Sequence, residues 1–74
     1  MTLRKSEFMP ILLSGGYLKE RGVARTMFTD LFDSSGARVG SVRNGTIESA
    51  YLVKKTLRNP NGSFDVRFYH YTHS

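Results

Sequence analysis

The residues with the clearest chemical potential in this chain are its basic side chains, which concentrate in the second half. Residues 37–74 carry six Lys or Arg against two Asp or Glu, whereas residues 1–36 carry five against four, and together they give the net charge of +5. Basic surfaces attract polyanions through steering and counterion release. The same charge also keeps a small protein in solution. Polyanion binding and simple solubility therefore both stay open as the role of the basic half.

The chain offers few groups for enzyme chemistry. It has no cysteine, and its two histidines, His70 and His73, are three residues apart, which places them on opposite faces of a strand. They therefore cannot share a metal ion. The acidic residues lack the spacing of a metal loop, and Gly15-Gly16 is not part of a phosphate-binding fingerprint. We expect no catalytic activity, no metal and no cofactor.

Tyrosines and cations near the C-terminus suggest a different chemistry. A hairpin closed around Pro60-Asn61-Gly62 places three tyrosines on one face with two cations. The five residues are Tyr51, Tyr69, Tyr71, Lys55 and Arg67. Such a face can stack unpaired bases while it holds their backbone.

The register of that hairpin decides whether such a face exists. The register just described sets Lys55 opposite Arg67, and like charges directly opposite each other repel. A shift by one residue instead collects apolar side chains on a single core face. They are Tyr51, Val53, Leu57, Phe64, Val66 and Phe68. Core packing is favoured for most of these aromatic residues.

The length of the chain limits what can position these groups. Seventy-four residues predict one small domain, residues 1–74. A chain of this size buries only about 60% of its unfolded surface, so a homodimer stays open. The longest apolar run, Phe8 to Leu13, contains Pro10 and is far shorter than the roughly 20 residues that span a bilayer. Without a targeting segment or cysteines, we expect a cytoplasmic protein with no membrane partner.

The pattern from Val23 to Phe32 predicts an amphipathic helix. Apolar and polar residues alternate in pairs, so at 100° per residue the apolar side chains fall on one half of the cylinder. A strand would instead place Phe28, Asp30 and Phe32 on one face. The helix is therefore favoured.

Two shorter segments precede this predicted helix. Thr2 to Leu13 is interpreted as a first helix or, because Pro10 suits a helix start better than a helix interior, as a turn of helix with an extended piece. Tyr17 to Arg21 is predicted to form a short helix that Gly22 ends in the left-handed conformation.

Beyond Gly36 the turn signals predict strands. A short strand at Ala37 to Val42 leads to Asn44-Gly45, the strongest short hairpin signal in a sequence. Asn59 to Gly62 is predicted to be a second turn. Phe64 to Tyr71 alternates as a strand with high β propensity.

Residues 47–58 fit both a helix and a strand. Thr46 as N-cap, Glu48 in the first turn and Pro60 beyond the end favour a helix. Lys54 would interrupt the helical apolar stripe, however, and the segment lies between two predicted turns. We therefore predict a strand. The result is a small α+β domain with N-terminal helices followed by an antiparallel β-hairpin or three-stranded sheet.

This order of elements resembles a winged helix-turn-helix, and the resemblance covers the 20 residues from Tyr17 to Gly36. Gly22-Val23 lies where that family has its turn. Phe28 and Leu31 occupy the inward positions of the second helix, and Arg25-Thr26 forms its exposed start. The resemblance implies a winged-helix-like fold and a DNA-binding transcriptional regulator.

The resemblance also implies which side chains contact nucleic acid. The second helix would lie in the major groove, with Arg25, Thr26 and Thr29 at base edges or phosphates. The sheet would add phosphate contacts from five cations. They are Arg38, Arg43, Lys54, Lys55 and Arg58. Duplex DNA is then favoured over RNA as the partner.

Two other interpretations stay open. The predicted helix from Val23 to Phe32 also fits an ordinary amphipathic helix whose polar half is merely solvated. A small basic chain with exposed tyrosines also fits a protein-protein interaction module or inhibitor, of the phage- or plasmid-type accessory kind. Such a module would bind an acidic or nucleic-acid-binding surface of a larger protein.

Overall fold

The structure, a computed structural model, describes residues 1–20 and 27–73. Within them the chain forms six strands and one α-helix. In chain order these are β1 (Thr2–Leu3), α1 (Lys5–Leu13), β2 (Tyr17–Glu20), β3 (Phe28–Phe32), β4 (Arg38–Arg43), β5 (Leu52–Arg58) and β6 (Phe64–His70). Short 3-10 turns, Asn44–Thr46 and Tyr71–His73, follow β4 and β6.

All six strands belong to one sheet, in the order β1-β4-β3-β2-β6-β5. β1 pairs parallel with β4, and the other neighbouring strands pair antiparallel. The short strand β2 lies in the interior of the sheet, where it joins the β3-β4 hairpin to the β5-β6 hairpin. The C-terminal hairpin therefore pairs with a strand from the first third of the chain, while β1 lies at the opposite edge of the sheet.

The hydrophobic core lies between α1 and one face of the sheet. Its buried apolar side chains are Leu3, Phe8, Leu12, Leu18, Leu31, Val42 and Ala50, each at most 6% exposed. Full burial of a Leu or Phe side chain contributes about 1.5–3 kcal/mol. This single layer is the main apolar contribution to stability.

Local signals explain the position of α1. The backbone N–H of Arg4 donates to the Glu7 carboxylate at 3.0 Å and so caps the helix start. Phe8 and Leu12 are four residues apart, so both lie on the stripe that faces the sheet. Pro10 lies on the exposed side, where water can reach the carbonyl that lacks its usual N–H donor.

The predicted first helix over Thr2 to Leu13 is confirmed from Lys5 onward, whereas Thr2–Leu3 is a strand that pairs with β4. Among the described residues, no helix has the length and apolar character needed to cross a membrane.

Gly16 allows the chain to turn from α1 into the centre of the sheet. A Cβ atom at this position would lie 2.6 Å from the Phe32 carbonyl oxygen and 2.7 Å from the Ile11 side chain. A larger residue would push α1 or β3 away. The glycine therefore fixes how closely β2 approaches both elements.

The winged helix-turn-helix interpretation is wrong, and so is the fold with N-terminal helices ahead of a hairpin. Tyr17–Glu20 and Phe28–Phe32 are adjacent strands of the sheet rather than two helices. A strand places Asp30 on one face with Phe28 and Phe32, which counted against it on sequence grounds, and β3 has this arrangement. Thr29 and Leu31 are buried, while Asp30 lies on the opposite face. Asp30 is tolerated between two phenylalanines because Arg38 Nη2 lies 3.1 Å from its carboxylate.

The predicted hairpin at Asn44-Gly45 is also wrong. Asn44 begins a 3-10 turn, and β4 does not pair with β5. The Asn44 backbone N–H donates to the Met27 carbonyl at 2.9 Å, and its side-chain oxygen accepts from the buried Thr29 hydroxyl. These bonds extend the β3-β4 pairing past its last residue and send the chain toward the far edge of the sheet.

The predicted C-terminal strands and turn are confirmed, except that the strand predicted over residues 47–58 begins only at Leu52 and the strand predicted over Phe64 to Tyr71 ends at His70. Residues 52–58 form β5, and Phe64–His70 form β6. The Asn59 N–H donates to the Ser63 carbonyl at 2.8 Å, and Gly62 takes the left-handed conformation with φ of 89°. Turn chemistry alone predicts this hairpin because it needs only adjacent residues.

Candidate functional site

The sheet face opposite α1 carries a mixture of aromatic and charged side chains, and we call it the open face. Residues paired across a sheet share a face, as do residues two apart in one strand. The aromatic and charged side chains that the pairing places here are Tyr17, Lys19, Phe28, Asp30, Phe32, Arg38, Arg43, Lys55, Asp65, Arg67 and Tyr69, alongside Thr2, Ser41, Val53 and Leu57. The described helix α1 packs on the other face, with the core.

Three rings form a row across neighbouring strands of the open face. Tyr17 in β2 pairs with Phe32 in β3 and with Tyr69 in β6. The Tyr17 and Phe32 rings stack with centroids 5.1 Å apart and planes 9° apart, and Tyr69 lies 5.3 Å from Tyr17 on the other side. We call these three rings the aromatic row. Tyr17 is only 7% exposed, whereas its two neighbours are half-buried.

A cation accompanies each of three rings. The Arg67 guanidinium carbon lies 4.3 Å from the Tyr17 centroid, and Lys55 Nζ lies 5.4 Å from the Tyr69 centroid. At the other end of the face the Arg43 guanidinium lies 5.8 Å from the Phe28 centroid. Ring faces attract cations electrostatically. The open face is therefore a positive surface built on aromatic rings.

These contacts explain how the sheet tolerates Lys55 opposite Arg67. In the structure, Lys55 lies opposite Arg67 and Val53 lies opposite Tyr69. The shifted register, and with it the single core face of six side chains, is wrong. Each cation lies near a different ring, and Lys55 Nζ also donates to the His73 carbonyl at 3.3 Å. The two charges are therefore held by separate partners.

Asp65 connects the cations near the aromatic row. Its carboxylate lies 3.1 Å from Lys19 Nζ and 3.4 Å from Arg67 Nη2, and it accepts from the Asn59 side-chain amide at 3.1 Å. The hydrogen bond from Asn59, and then the one from Lys19, hold the pKa of Asp65 below its usual value. The Tyr69 hydroxyl, which accepts from Arg67, raises the pKa of that guanidinium.

The charge of the open face is positive overall. It carries five cations, Lys19, Arg38, Arg43, Lys55 and Arg67, against the two carboxylates of Asp30 and Asp65, a balance of +3. Most of the net charge of the whole chain is therefore gathered on one surface.

The predicted site residues fall into three groups. Arg38, Arg43 and Lys55 lie on the open face. Lys54 and Arg58 belong to the same strand as Lys55 but face the opposite side of the sheet. Thr29 is 2% exposed and lies on the core face of β3, where its hydroxyl donates to the side-chain oxygen of Asn44. Arg25 and Thr26 lie outside the described residues.

Sequence reasoning missed Tyr17, Lys19, Phe28 and Phe32 as members of the site. All four were assigned to helices, where they have no common face. The period of two within Tyr17–Glu20 and Phe28–Phe32 is the signal that could have identified them. Both segments are too short for that signal to outweigh a longer helical pattern.

The two histidines take part in local contacts at the end of the chain. His70 is 6% exposed and its Nδ1 lies 2.8 Å from the Thr72 hydroxyl, while His73 Nε2 lies 2.9 Å from the Leu13 carbonyl oxygen. In the part of the chain that the structure describes, no three His, Asp or Glu side chains come together as a metal site.

The open face can stack planar rings and hold anions at the same time. In the aromatic row, the Phe32 and Tyr69 rings are half-buried. Lys55 lies beside Tyr69, and Arg67 lies beside Tyr17. Comparison of the chain with protein-family models, with curated proteins and with solved structures finds no match.

Proposed function

We propose that this protein binds single-stranded nucleic acid on its open face. The observation that carries the proposal is the aromatic row of Phe32, Tyr17 and Tyr69 with Arg67 and Lys55 beside it. Bases stack on aromatic side chains, and a basic groove or surface follows the phosphate backbone. A face that offers both kinds of contact suits a strand whose bases are unpaired.

A sheet face favours an unpaired strand over a duplex. In a duplex the bases already stack on one another, so their ring faces are not accessible to side chains on a flat surface. Duplex DNA would instead be read by an element inserted into its major groove. Phe28–Phe32, the part of the expected helix that the structure describes as a regular element, is strand β3.

The positions of the charges also favour this ligand. Lys55 and Arg67 lie beside the aromatic row, and Arg38 and Arg43 lie toward the other side of the sheet. A strand stacked on the row would pass cations on both sides of its bases. Each phosphate neutralised on a single strand contributes about −0.7 to the slope of log K against log salt.

The test compares two neighbouring lysines on opposite faces of β5. Fluorescence anisotropy would follow the binding of a labelled 12-nucleotide DNA, the same sequence as RNA, and the corresponding duplex, each over a salt series. We expect the single strands to bind more tightly than the duplex. Lys55→Ala should weaken single-strand binding and reduce the salt slope by about 0.7, whereas the matched control Lys54→Ala should change neither.

Stacking is measured with a third variant in the same titration. Tyr69→Leu keeps apolar bulk over Tyr17 but removes the ring, so we expect affinity to fall about 5-fold or more at an unchanged salt slope. Equal losses from Lys54→Ala and Lys55→Ala would contradict binding on the open face. If none of the three probes binds at low salt, the proposal fails, and the interaction-module interpretation with an acidic protein partner becomes the better one.

A further inference from the structure

A second surface with aromatic residues lies beyond the end of β6, away from the aromatic row. It is a groove of 720 Å³ between α1 and the start of β5. Its lining includes Lys5, Met9, Ser49, Tyr51, Leu52 and Tyr71. This volume falls in the range of about 300–1,000 Å³ that is usual for small-ligand sites. We call it the tyrosine groove.

Tyr51, which lines the groove, has an unfavourable backbone conformation. Its φ of 52° makes it the one non-glycine residue with positive φ among residues 1–20 and 27–73. Left-handed backbone costs an ordinary residue about 1–2 kcal/mol. Burial of the ring does not offset this cost, because Tyr51 is 74% exposed. Residues held in sparsely populated backbone conformations cluster at active sites and ligand sites, so the conformation of Tyr51 points to a function for its side chain.

A backbone hydrogen bond ties Tyr51 to a second exposed tyrosine. The Tyr71 N–H donates to the Tyr51 carbonyl at 3.0 Å, and the two rings meet edge to face with centroids 6.3 Å apart. Tyr71 is 57% exposed, and the His70 ring lies 4.8 Å from it. The two tyrosines are therefore presented together at a set distance rather than as independent surface residues.

Hydrogen-bond donors are present beside the rings. Lys5 Nζ donates to the Ser49 hydroxyl oxygen at 2.6 Å, and an ammonium group has three N–H donors, so it can bind an anion as well. The His70 ring lies beside them, with its Nδ1 2.8 Å from the Thr72 hydroxyl. His70 also lines the groove. Met9 and Leu52 supply apolar contact.

We infer that the tyrosine groove binds a nucleotide, with the base against Tyr51 and Tyr71 and the phosphate at Lys5. A planar ring needs an aromatic or apolar contact surface, and a phosphate needs a nearby cation. The nucleotide has two sources: a free mononucleotide, or one residue of a strand that also occupies the open face. The second source rests on the proposed function. The groove lies on the α1 side of the sheet, so such a strand would pass around the end of β6, from Tyr69 on the open face to Tyr71 in the groove.

The test uses Tyr51→Gly, a variant that removes the ring and relieves the backbone strain. Glycine adopts positive φ without cost, so this variant should keep or raise the Tm. Binding of adenosine monophosphate and of adenosine would be followed by two-dimensional amide NMR. We expect the monophosphate to shift the resonances of Tyr51, Leu52 and Tyr71. Tyr51→Gly should weaken its binding about tenfold.

Two further variants separate base contact from phosphate contact. Lys5→Gln should bring the affinity for the monophosphate down to that for adenosine. Phe64→Ala removes another exposed ring, 63% exposed and outside the groove, and should leave monophosphate binding unchanged. Shifts that fall outside the groove, or equal binding by the wild type and Tyr51→Gly, would overturn the inference.

Oligonucleotides of 4 and 12 residues distinguish the two sources. If Tyr51→Gly weakens the 12-residue strand but not the 4-residue strand, the groove serves a strand that extends from the open face. If it weakens only the monophosphate, the ligand is a free nucleotide. Both results support the groove. Monophosphate binding that persists when no oligonucleotide binds would overturn the proposed function alone. Oligonucleotide binding that Tyr51→Gly leaves unchanged, without monophosphate shifts, would overturn the groove alone.

Discussion

At the scale of single residues, the open face depends on how Asp65 positions its neighbours. Arg67 lies over the Tyr17 ring, and its Nη2 is 3.4 Å from the Asp65 carboxylate. Arg67 Nε is buried without a hydrogen-bond partner, the one such side-chain atom in the described part of the chain. A buried donor without a partner is unfavourable. The stacking on Tyr17 and the ion pair with Asp65 therefore outweigh the loss of that donor's hydration.

We predict that Asp65→Asn increases affinity for single-stranded nucleic acid. The change removes a negative charge from the proposed binding face and releases Lys19 and Arg67 from ion pairs at 3.1 and 3.4 Å. Anisotropy should show tighter binding and a steeper salt slope than the wild type. Asp33→Asn is the matched control, since Asp33 lies in the β3-β4 turn and bonds to Ser35 and Ala37. Equal effects of the two variants would contradict a local role for Asp65.

At the scale of elements, the β5-β6 hairpin supplies four of the charged and aromatic side chains of the open face, Lys55, Asp65, Arg67 and Tyr69. Its turn therefore sets the register that places Lys55 opposite Arg67. The turn is closed by the Asn59 N–H to the Ser63 carbonyl and by Gly62 with φ of 89°. β6 pairs with β2 at Tyr17 and Leu18, while the turn fixes how β5 pairs with β6.

We predict that Gly62→Ala destabilises the protein by about 1 kcal/mol, because alanine disfavours positive φ. For a chain of this size that corresponds to a fall in Tm of about 4–8 °C, measurable by thermal circular dichroism. Gly45→Ala is the control: its φ is not positive, and an added Cβ would meet no atom within 4 Å. It should leave the Tm unchanged or raise it, and a similar fall in both variants would contradict the role of the turn.

At the scale of the whole molecule, one layer of core supports a sheet whose other face carries the aromatic row and its cations. Leu18 and Leu31 are fully buried beneath α1, while their strand neighbours Tyr17 and Phe32 belong to the open face. A domain of 74 residues has a typical total stability of about 4–11 kcal/mol. A core substitution that costs several kcal/mol would therefore remove a large part of the free energy of unfolding.

We predict that Leu18→Ala lowers the free energy of unfolding by about 2–5 kcal/mol, because it leaves a cavity in the centre of the core. Urea denaturation should show the loss as a lower midpoint with a similar slope. Leu57→Ala changes the same side chain at a site that is 38% exposed and should cost clearly less. If both cost the same, the core does not lie where the structure places it.

The sequence by itself determined the features that depend on neighbouring residues. The turn at Asn59 to Gly62, the strands on either side of it and the excess of positive charge in residues 37–74 all follow from local patterns. α1 was predicted in part, because the Phe8 and Leu12 spacing is local while the pairing of Thr2–Leu3 with β4 is not.

Only the tertiary structure decided that Tyr17–Glu20 and Phe28–Phe32 are strands, and with them where the candidate site lies. The segment around Phe28 has apolar residues at both helical and strand spacings, so its pattern alone cannot separate the two. Arg38 beside Asp30 makes this residue acceptable in a strand, and Tyr69 pairs with Tyr17 from the other end of the chain to complete the aromatic row. Such partners are distant in sequence, so the energies that select the strands arise only once the sheet has formed.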